Sequence, residues 1–476
     1  MESRSNAVPI KRLPEILDVE PRIKPTFDPA FRPMSLAWLN YRKAVKDSGK
    51  GIPLRIGIER ENGLISIFKT EVLPPDPATA EATTIYAERI VKFLLWSRGG
   101  WKVYFQGPRD AGEIIRKAYS SRGRRAFDAE LMGRVYEKEF QVEIVDPLDF
   151  PESRESESAL GGHLDGCRIG FDLGASDFKV AAVKEGEPVY SEEIPWTPGE
   201  RSDPRYHYEN IRNGLKKAAS HLPRVDAIGG SSAGIYINNQ VRIASLFRSV
   251  PLDVFNLKVK NMFNEMKAEW GVPFEVINDG EVTALAGMMS LGDRAVLGVA
   301  MGSSQAGGFL NAEGHIPGWL DELAFSPVDI GPEAVADEWS GDRGVGANYF
   351  SQQAVNKLAV RAGIEFPEDM RLPERLKKVQ RLAEKGDGTA WRVFEDIGTY
   401  LGYAVPYYEM FYDFRNLLVL GRVMSGTGGN IIMEKAARVL HEEFPGTERR
   451  VTLHLLDEKS RRVGQAVAAA SLPKIE

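Results

Sequence analysis

The sequence predicts an α/β protein of more than one domain, with sheets that are partly parallel. Three observations carry this expectation. The chain has 476 residues, and single cores stop growing beyond about 250–300 residues. From Cys167 onward, short apolar runs alternate with stretches of helical spacing, the pattern of strands joined through helices. A strand–Asp–Gly turn at Asp172 has a looser echo in Ala300-Met301-Gly302-Ser303, as two similar halves facing a cleft would give.

Bulk properties narrow the class. Apolar residues make up 43% and charged residues 27%, ordinary for a globular protein. The net charge of -6 argues against a general nucleic-acid binder. Cys167 is the only cysteine, so an intrachain disulfide and a Cys-rich zinc site are excluded, and a reducing compartment is expected. "MESRSNAVPIKRLPEILDVEPRIKP" has no apolar core and does not read as a secretory signal. No window reaches the roughly 20 apolar residues of a membrane span. A cytoplasmic location follows as an expectation, with no membrane partner.

Residues 1–53, rich in Pro and charge, read as an extended arm. Residues 54–150 read as an accessory α/β domain. In it "PLRIGIER" and "GLISIFKTEVL" pair around Glu61-Asn62-Gly63, and "ATTIYAERIVKFLLWSRGG" is a helix stopped by a glycine pair. "WKVYFQG" and "QVEIVD" are strands, with two helical stretches between them. Polar, acidic residues 151–165 form a linker. Residues 166–290 and 291–476 then form two lobes. Strands are expected at 168–173, 178–183, 227–230, 274–278, 295–301, 308–311, 417–421 and 451–456. Helices are expected at 209–220, 281–289, 389–411, 431–443 and 461–470.

Four stretches carry chemistry, each with a plainer reading beside it. In "GFDLGASDFKVAAV", Asp172 ends a strand, and Gly174, Ala175 and Ser176 form a turn small enough for phosphate approach. Asp172 is then placed to hold Mg²⁺ through water; a simple hairpin tip is the alternative. In "VAMGSSQAGGFLNAEGHIPG", Gly302, Ser303 and Ser304 form a second phosphate turn or a glycine-rich hairpin. In "FEVINDGEVTALAGMMSLGD", Asp279 begins a helix, as a cap or as a general base, with Asn278 a ligand for the same substrate. In "NLLVLGRVMSGTGGNIIMEKAARVL", Gly426, Thr427, Gly428 and Gly429 link a strand to a helix. They lack the lysine and spacing of a P-loop, and the loop either admits an adenine ring or is a plain connection.

In this order and spacing, the four stretches resemble the sugar kinases of the actin–hexokinase–Hsp70 superfamily, and most closely the ROK family. Asp172-Leu173-Gly174-Ala175-Ser176 is similar to its Asp-x-Gly-Gly-Thr turn, "GGSSAGIYINNQVRIASLF" to its substrate loop, and Ile277-Asn278-Asp279-Gly280-Glu281 to its Glu-Asn-Asp-Ala-Asn. Gly302–Gly308 is loosely similar to its second glycine turn. The resemblance runs from about Cys167 to the C-terminus. It implies two ribonuclease-H-like (actin-like ATPase) lobes around a cleft, ATP and Mg²⁺ as cofactors, a sugar substrate and a homodimer. It implies Asp279 as the base, and Asn278, Ser245, Glu322 and, more weakly aligned, Glu338 as sugar contacts. Trp319, near Glu322, is the stacking candidate for a sugar ring. Departures are Phe325 at the family's zinc-binding histidine, no Cys-rich cluster and hence no zinc, Ser245 for an asparagine, and Ala175 for a glycine.

Two rival readings stand beside the kinase: a sugar-responsive transcriptional regulator, and an ATPase that needs no sugar. The basic run Lys102, Arg109, Arg116, Lys117, Arg122, Arg124 and Arg125 would meet DNA phosphates in the former, or is a solvated face. Nucleic acid is not the expected partner. The N-terminal unit is open to three roles: capping the cleft, dimerisation or binding a regulator.

Overall fold

The computed structural model describes residues 12–155, 160–175, 177–455 and 458–475. Fifteen strands lie among them, in chain order: β1 Ile52–Glu59, β2 Ile65–Val72, β3 Lys102–Gln106, β4 Gln141–Ile144, β5 Cys167–Leu173, β6 Asp177–Lys184, β7 Glu187–Pro195, β8 Ala227–Ser232, β9 Ile235–Ile237, β10 Gln240–Ile243, β11 Phe274–Asn278, β12 Val296–Met301, β13 Gln305–Leu310, β14 Asn416–Leu420 and β15 Thr452–Leu455. Three mixed sheets organise the molecule. Their orders are β2-β1-β3-β4, β11-β8-β5-β6-β7 and β13-β12-β14-β15, and β9 and β10 form a separate hairpin.

The first lobe is built on the five-stranded sheet. β5, β8 and β11 run parallel, and β6 and β7 return antiparallel. The second lobe repeats the plan in shorter form, with β12, β14 and β15 parallel and β13 antiparallel at the edge. This is the α/β architecture of two actin-like lobes that was expected, with an added N-terminal region.

Two helices tie the lobes together. Asp279–Leu291 leaves β11 of the first sheet but packs on β12 and β13 of the second. Glu458–Ala470 leaves the second sheet and returns to pack on β5, β6 and β8. That return is tight, because a side chain at Gly170 would overlap the Ala466 carbonyl and one at Gly229 the Ala469 carbonyl. The sequence division at 290/291 assigns the last helix to the second lobe. In the structure it belongs to the first, because those glycines and the small residues Ala466, Ala469 and Ala470 admit it there.

The arm expected over residues 1–53 contains a 15-residue helix, Met34–Ser48. Its apolar residues Met34, Ala37, Trp38, Tyr41 and Val45 are buried at helical spacing, a signal hidden beside the Pro-rich segment before it. Ahead of this helix the chain is strapped to the second lobe. Thr26 and Phe27 donate backbone N–H groups to Asp396 at 2.6 and 2.7 Å. Asp28 is held by Lys357 at 3.1 Å, Arg361 at 2.6 Å and the Tyr400 hydroxyl at 2.5 Å.

The N-terminal sheet does not pack as a separate unit. Helix Ala80–Arg98 is buried on nearly every side, as a helix between two layers must be, and one continuous apolar core runs from Ile56 and Val103 to Phe394, Tyr407 and Val439. The first lobe keeps its own core around Phe171, Phe178 and Phe263. Among the described residues no helix is long and apolar enough to cross a membrane.

Candidate functional site

Parallel strands β5, β8 and β11 end together, with Asp172 opposite Ser231, Leu173 opposite Ser232, and Ser232 opposite Asn278. The carboxyl edge of such a sheet is where open α/β folds bind ligands. Asp172 is buried at this edge. Its β6 register partner Lys179 places Nζ 3.4 Å from Asp172 Oδ2 and 3.4 Å from Asp177 Oδ1. The turn after Asp172 is closed by the Gly174 N–H to Asp177 O at 2.9 Å. Trp196 Nε1 pins it by donating to Gly174 O at 2.8 Å. Ser176 lies outside the described residues.

Helix Asp279–Leu291 is capped by Asn278 rather than Asp279. Asn278 Oδ1 accepts from the Gly280 N–H at 2.7 Å, and the Glu281 carboxyl, three residues after the cap, accepts from the Asn278 N–H, the reach-back half of a capping box. Asn278 Nδ2 donates to Gly234 O at 2.6 Å. Asn278, expected as a sugar ligand, thus ties the start of this helix to the Gly234 loop, which leaves one N–H and one lone pair of its amide for a ligand.

The half-buried Asp279 carboxyl is pushed up to about 6, first by burial and second by the charge of Asp172. Glu322 is pushed up to about 7 by burial and by the charges of Asp279 and Asp321. Asp279 therefore sits close enough to feel Asp172, and Glu322 close enough to feel Asp279. The helix start also touches the second sheet, since a side chain at Gly280 would overlap the Gly307 carbonyl and one at Gly308 the Gly280 carbonyl. Gly307 on β13 is three residues from the Gly302–Ser304 turn, about 10 Å along the strand. Asp279 thus stands where the two sheets meet.

The second turn is closed by the Gly302 N–H to Ser304 O at 2.9 Å, and Gly302 O accepts from the Gln352 N–H at 3.0 Å. Ser303 and Ser304 are exposed at its tip. β14 ends beside it, and Gly421 is pressed so close to Met301 that a side chain there would overlap the Met301 carbonyl. In the fourth stretch, Gly426 is exposed and Thr427 half-buried. Gly428 and Gly429 are buried against the Phe394 ring and the Met424 carbonyl, so helix packing accounts for their small size.

Ser245 and Ala175 line one cavity of about 530 Å³, together with Trp196, Thr197, Tyr206 and Arg248. His207 binds both of its walls, with Nε2 at 3.0 Å from Pro198 O and 3.1 Å from Leu246 O. No metal-ligand spacing flagged His207 in the sequence, and its role emerges only from the fold. Lys179 was equally missed, although the alternation in Asp177-Phe178-Lys179 places it opposite Asp172. Glu338 is exposed on the Asp337–Gly341 turn beside exposed Trp339 and stands apart from the carboxylates above. Trp319 is packed, stacked on Phe309 at 5.3 Å with Arg98 over its ring at 3.3 Å. Phe325 packs on Trp96 at 4.2 Å and on Phe127 at 5.6 Å.

Of the basic run near residues 102–125, Arg109, Arg116, Lys117, Arg122 and Arg124 are exposed, as a solvated face requires, and Lys102 and Arg125 are not. Lys102 pairs with Glu143 at 2.5 Å, and Arg125 is buried against Glu88 and Asp342, both at 2.6 Å.

Among the described residues no three His, Cys, Asp or Glu stand together as direct metal ligands. Asp172 and Asp279 nevertheless fit a hydrated dication, which needs few protein ligands and would relieve the repulsion that raises Asp279.

No family model matches the sequence, and no curated protein does. Solved structures do match. The ROK hexokinase from Thermus thermophilus superposes with a TM-score of 0.50 at 18% identity, over 64% of this chain and 97% of that one. A ROK-family transcriptional regulator, a homologue of the E. coli MLC protein, superposes with a TM-score of 0.51 at 18% identity, over 65% of this chain and 79% of that one. The fold is the ROK fold. A ROK glucokinase from Streptomyces griseus, solved with glucose and AMPPNP, superposes with a TM-score of 0.48 at 19% identity, over 64% of this chain and 99% of that one. About a third of this chain lies outside each ROK match. The neighbours include both sugar kinases and a regulator.

Proposed function

We propose that this chain is an ATP-dependent sugar kinase in which Asp279 is the general base. The observation that carries this is the position of Asp279. It lies at the junction of the two sheets, sensing Asp172 on the phosphate side and Glu322 on the loop side. A purely structural cap needs neither neighbour, and the N-cap position is held by Asn278.

A sugar hydroxyl held near Glu322 and Ser245 gives its proton to Asp279 Oδ as its oxygen attacks the terminal phosphorus of ATP, and the bond from that phosphorus to the bridging oxygen of ADP breaks. A base with its carboxyl near 6 is ionised at neutral pH yet still basic enough to take a proton. Positioning and charge neutralisation supply most of the remainder in phosphoryl transfer. With the Gly174 and Gly302 N–H groups closing their turns, Ala175, Ser303 and Ser304 supply the N–H groups and hydroxyls for phosphate oxygens, and Lys179 adds a cation beside them. Asp172 would hold Mg²⁺, which would supply charge neutralisation at the phosphates. A cytoplasmic location and a homodimer belong to the same proposal.

The test is ADP release against a panel of sugars and polyols, with wild type and Asp279→Asn. A sugar-dependent rate that falls by about 10²–10⁴-fold in the variant is expected, the usual worth of a general base. Equal rates in both proteins would remove Asp279 from that role. ADP release indifferent to every sugar would favour an ATPase. Absence of any turnover, together with sugar-sensitive duplex binding, would favour the regulator.

A further inference from the structure

The N-terminal region reaches the candidate site through the last turn of helix Ala80–Arg98. Three consecutive N–H groups of the Glu322 loop donate into it: Leu320 to Arg98 O at 3.2 Å, Asp321 to Ser97 O at 3.0 Å and Glu322 to Trp96 O at 2.9 Å. A helix end always has carbonyls without intrahelical partners, and here the loop supplies the donors. The chain can leave the helix at this point because Gly99, at φ 74°, has no side chain to strike the Tyr136 hydroxyl and Leu320.

Side chains reinforce the same contact. The Arg98 guanidinium lies 3.3 Å over the Trp319 ring and 4.9 Å over the Tyr412 ring, and donates to Phe411 O. The Tyr412 hydroxyl donates to Asp321 Oδ1 at 2.6 Å. Trp96 packs on Phe325. Between these fastenings Asp321 holds φ 50°, a left-handed conformation that a residue with a side chain keeps only where its surroundings impose it. Glu322 is the next residue.

We propose that the end of this helix is a clamp that sets the Glu322 loop, with Arg98 as the positioning residue. The N-terminal region then governs affinity for the phosphoryl acceptor and leaves the nucleotide half untouched. The kinetic part of this inference rests on the kinase reading above; the structural part does not.

The experiment uses the full chain as wild type, Arg98→Met, Arg98→Lys and Tyr412→Phe. Amide hydrogen exchange reads the loop directly. Residues 320–322 should exchange about tenfold faster in Arg98→Met, with helices Asp279–Leu291 and Thr427–Glu443 unchanged. With the best acceptor from the panel, KM for the sugar should rise about tenfold and KM for ATP should hold within about twofold. Arg98→Lys, which keeps a cation over the ring, should recover part of the loss. Should Arg98→Met fail to fold, Tyr412→Phe removes only the hydroxyl on Asp321 and should shift exchange and sugar KM in the same direction. Unchanged exchange at 320–322 in a folded variant overturns the clamp, as does an equal rise in both KM values. If wild type shows no sugar-dependent turnover, the kinase reading fails, and the exchange data alone decide the clamp.

Discussion

Glu281, two residues after Asp279, combines a helix-start contact with a strongly shifted carboxyl. Its carboxyl accepts from the Asn278 N–H, and burial followed by the Asp321 charge pushes it up to about 8. The folded chain therefore holds a proton that the unfolded chain releases above its ordinary value of 4.5. Stability contributed by this group is present at low pH and is lost as pH rises toward 8. Glu281→Gln keeps an acceptor for the Asn278 N–H and removes the titration. The variant and wild type should melt at similar temperatures at pH 5, and at pH 8 the variant should melt higher by roughly a few degrees. A gap that does not widen with pH would show that Glu281 is ionised in the fold. Asp279, two residues earlier, is not the N-cap residue, a position held by Asn278. That placement is invisible in Asn278-Asp279-Gly280-Glu281 read alone, where a cap and a base have the same appearance.

At the scale of the element, the C-terminal helix is the most exacting. It lies on β5 and β8 with backbone against backbone, at Gly170 and Gly229. Gly229→Val inserts a branched side chain into that contact, and overpacking of this kind costs about 1–3 kcal/mol or more. The expected result is a melting temperature lowered by roughly 3–10 °C, read by calorimetry or circular dichroism, and a unchanged value would mean that the helix does not dock there. Well-buried elements announced themselves in the sequence. β5, β11, β12 and β14 lie within two residues of their expected ends, as does the long helix Gly388–Tyr408 at its start. The helix Met34–Ser48 and the edge strand β7, with its pattern of Glu187 to Pro195 largely exposed, carried weaker patterns and were missed.

Across the whole molecule, an inserted ion network locks the N-terminal region to the second lobe. Arg89, Lys92 and Arg125 face Glu88, Asp128 and Asp342, with Lys92 to Asp128 at 2.5 Å, Arg89 to Asp342 at 3.0 Å and Arg125 to Asp342 at 2.6 Å. Asp342 lies in the loop that follows Glu338, so the network joins residues more than 200 apart in the chain. Removing one partner leaves buried charge uncompensated, at a cost of about 3–5 kcal/mol. Lys92→Met should therefore lower the melting transition of the N-terminal region and the second lobe together, because their apolar core is continuous. Scanning calorimetry checks this: if the N-terminal region melts by itself, ahead of the second lobe, the shared core is not cooperative.

The sequence by itself determined the α/β class, the order of strands and helices after Cys167, and the four turns where chemistry could sit. Those properties are written in local periodicity and in small residues at strand ends, which need no distant partner to be read. Only the tertiary structure decided which of the turns meet, because the approach of Asp172, Asp279 and Glu322 depends on a helix that leaves one sheet and packs on the other. It alone placed Lys179 and His207 and moved the last helix to the first lobe. It alone showed the N-terminal helix gripping the Glu322 loop through backbone groups, which every residue carries and which leave no mark in a sequence.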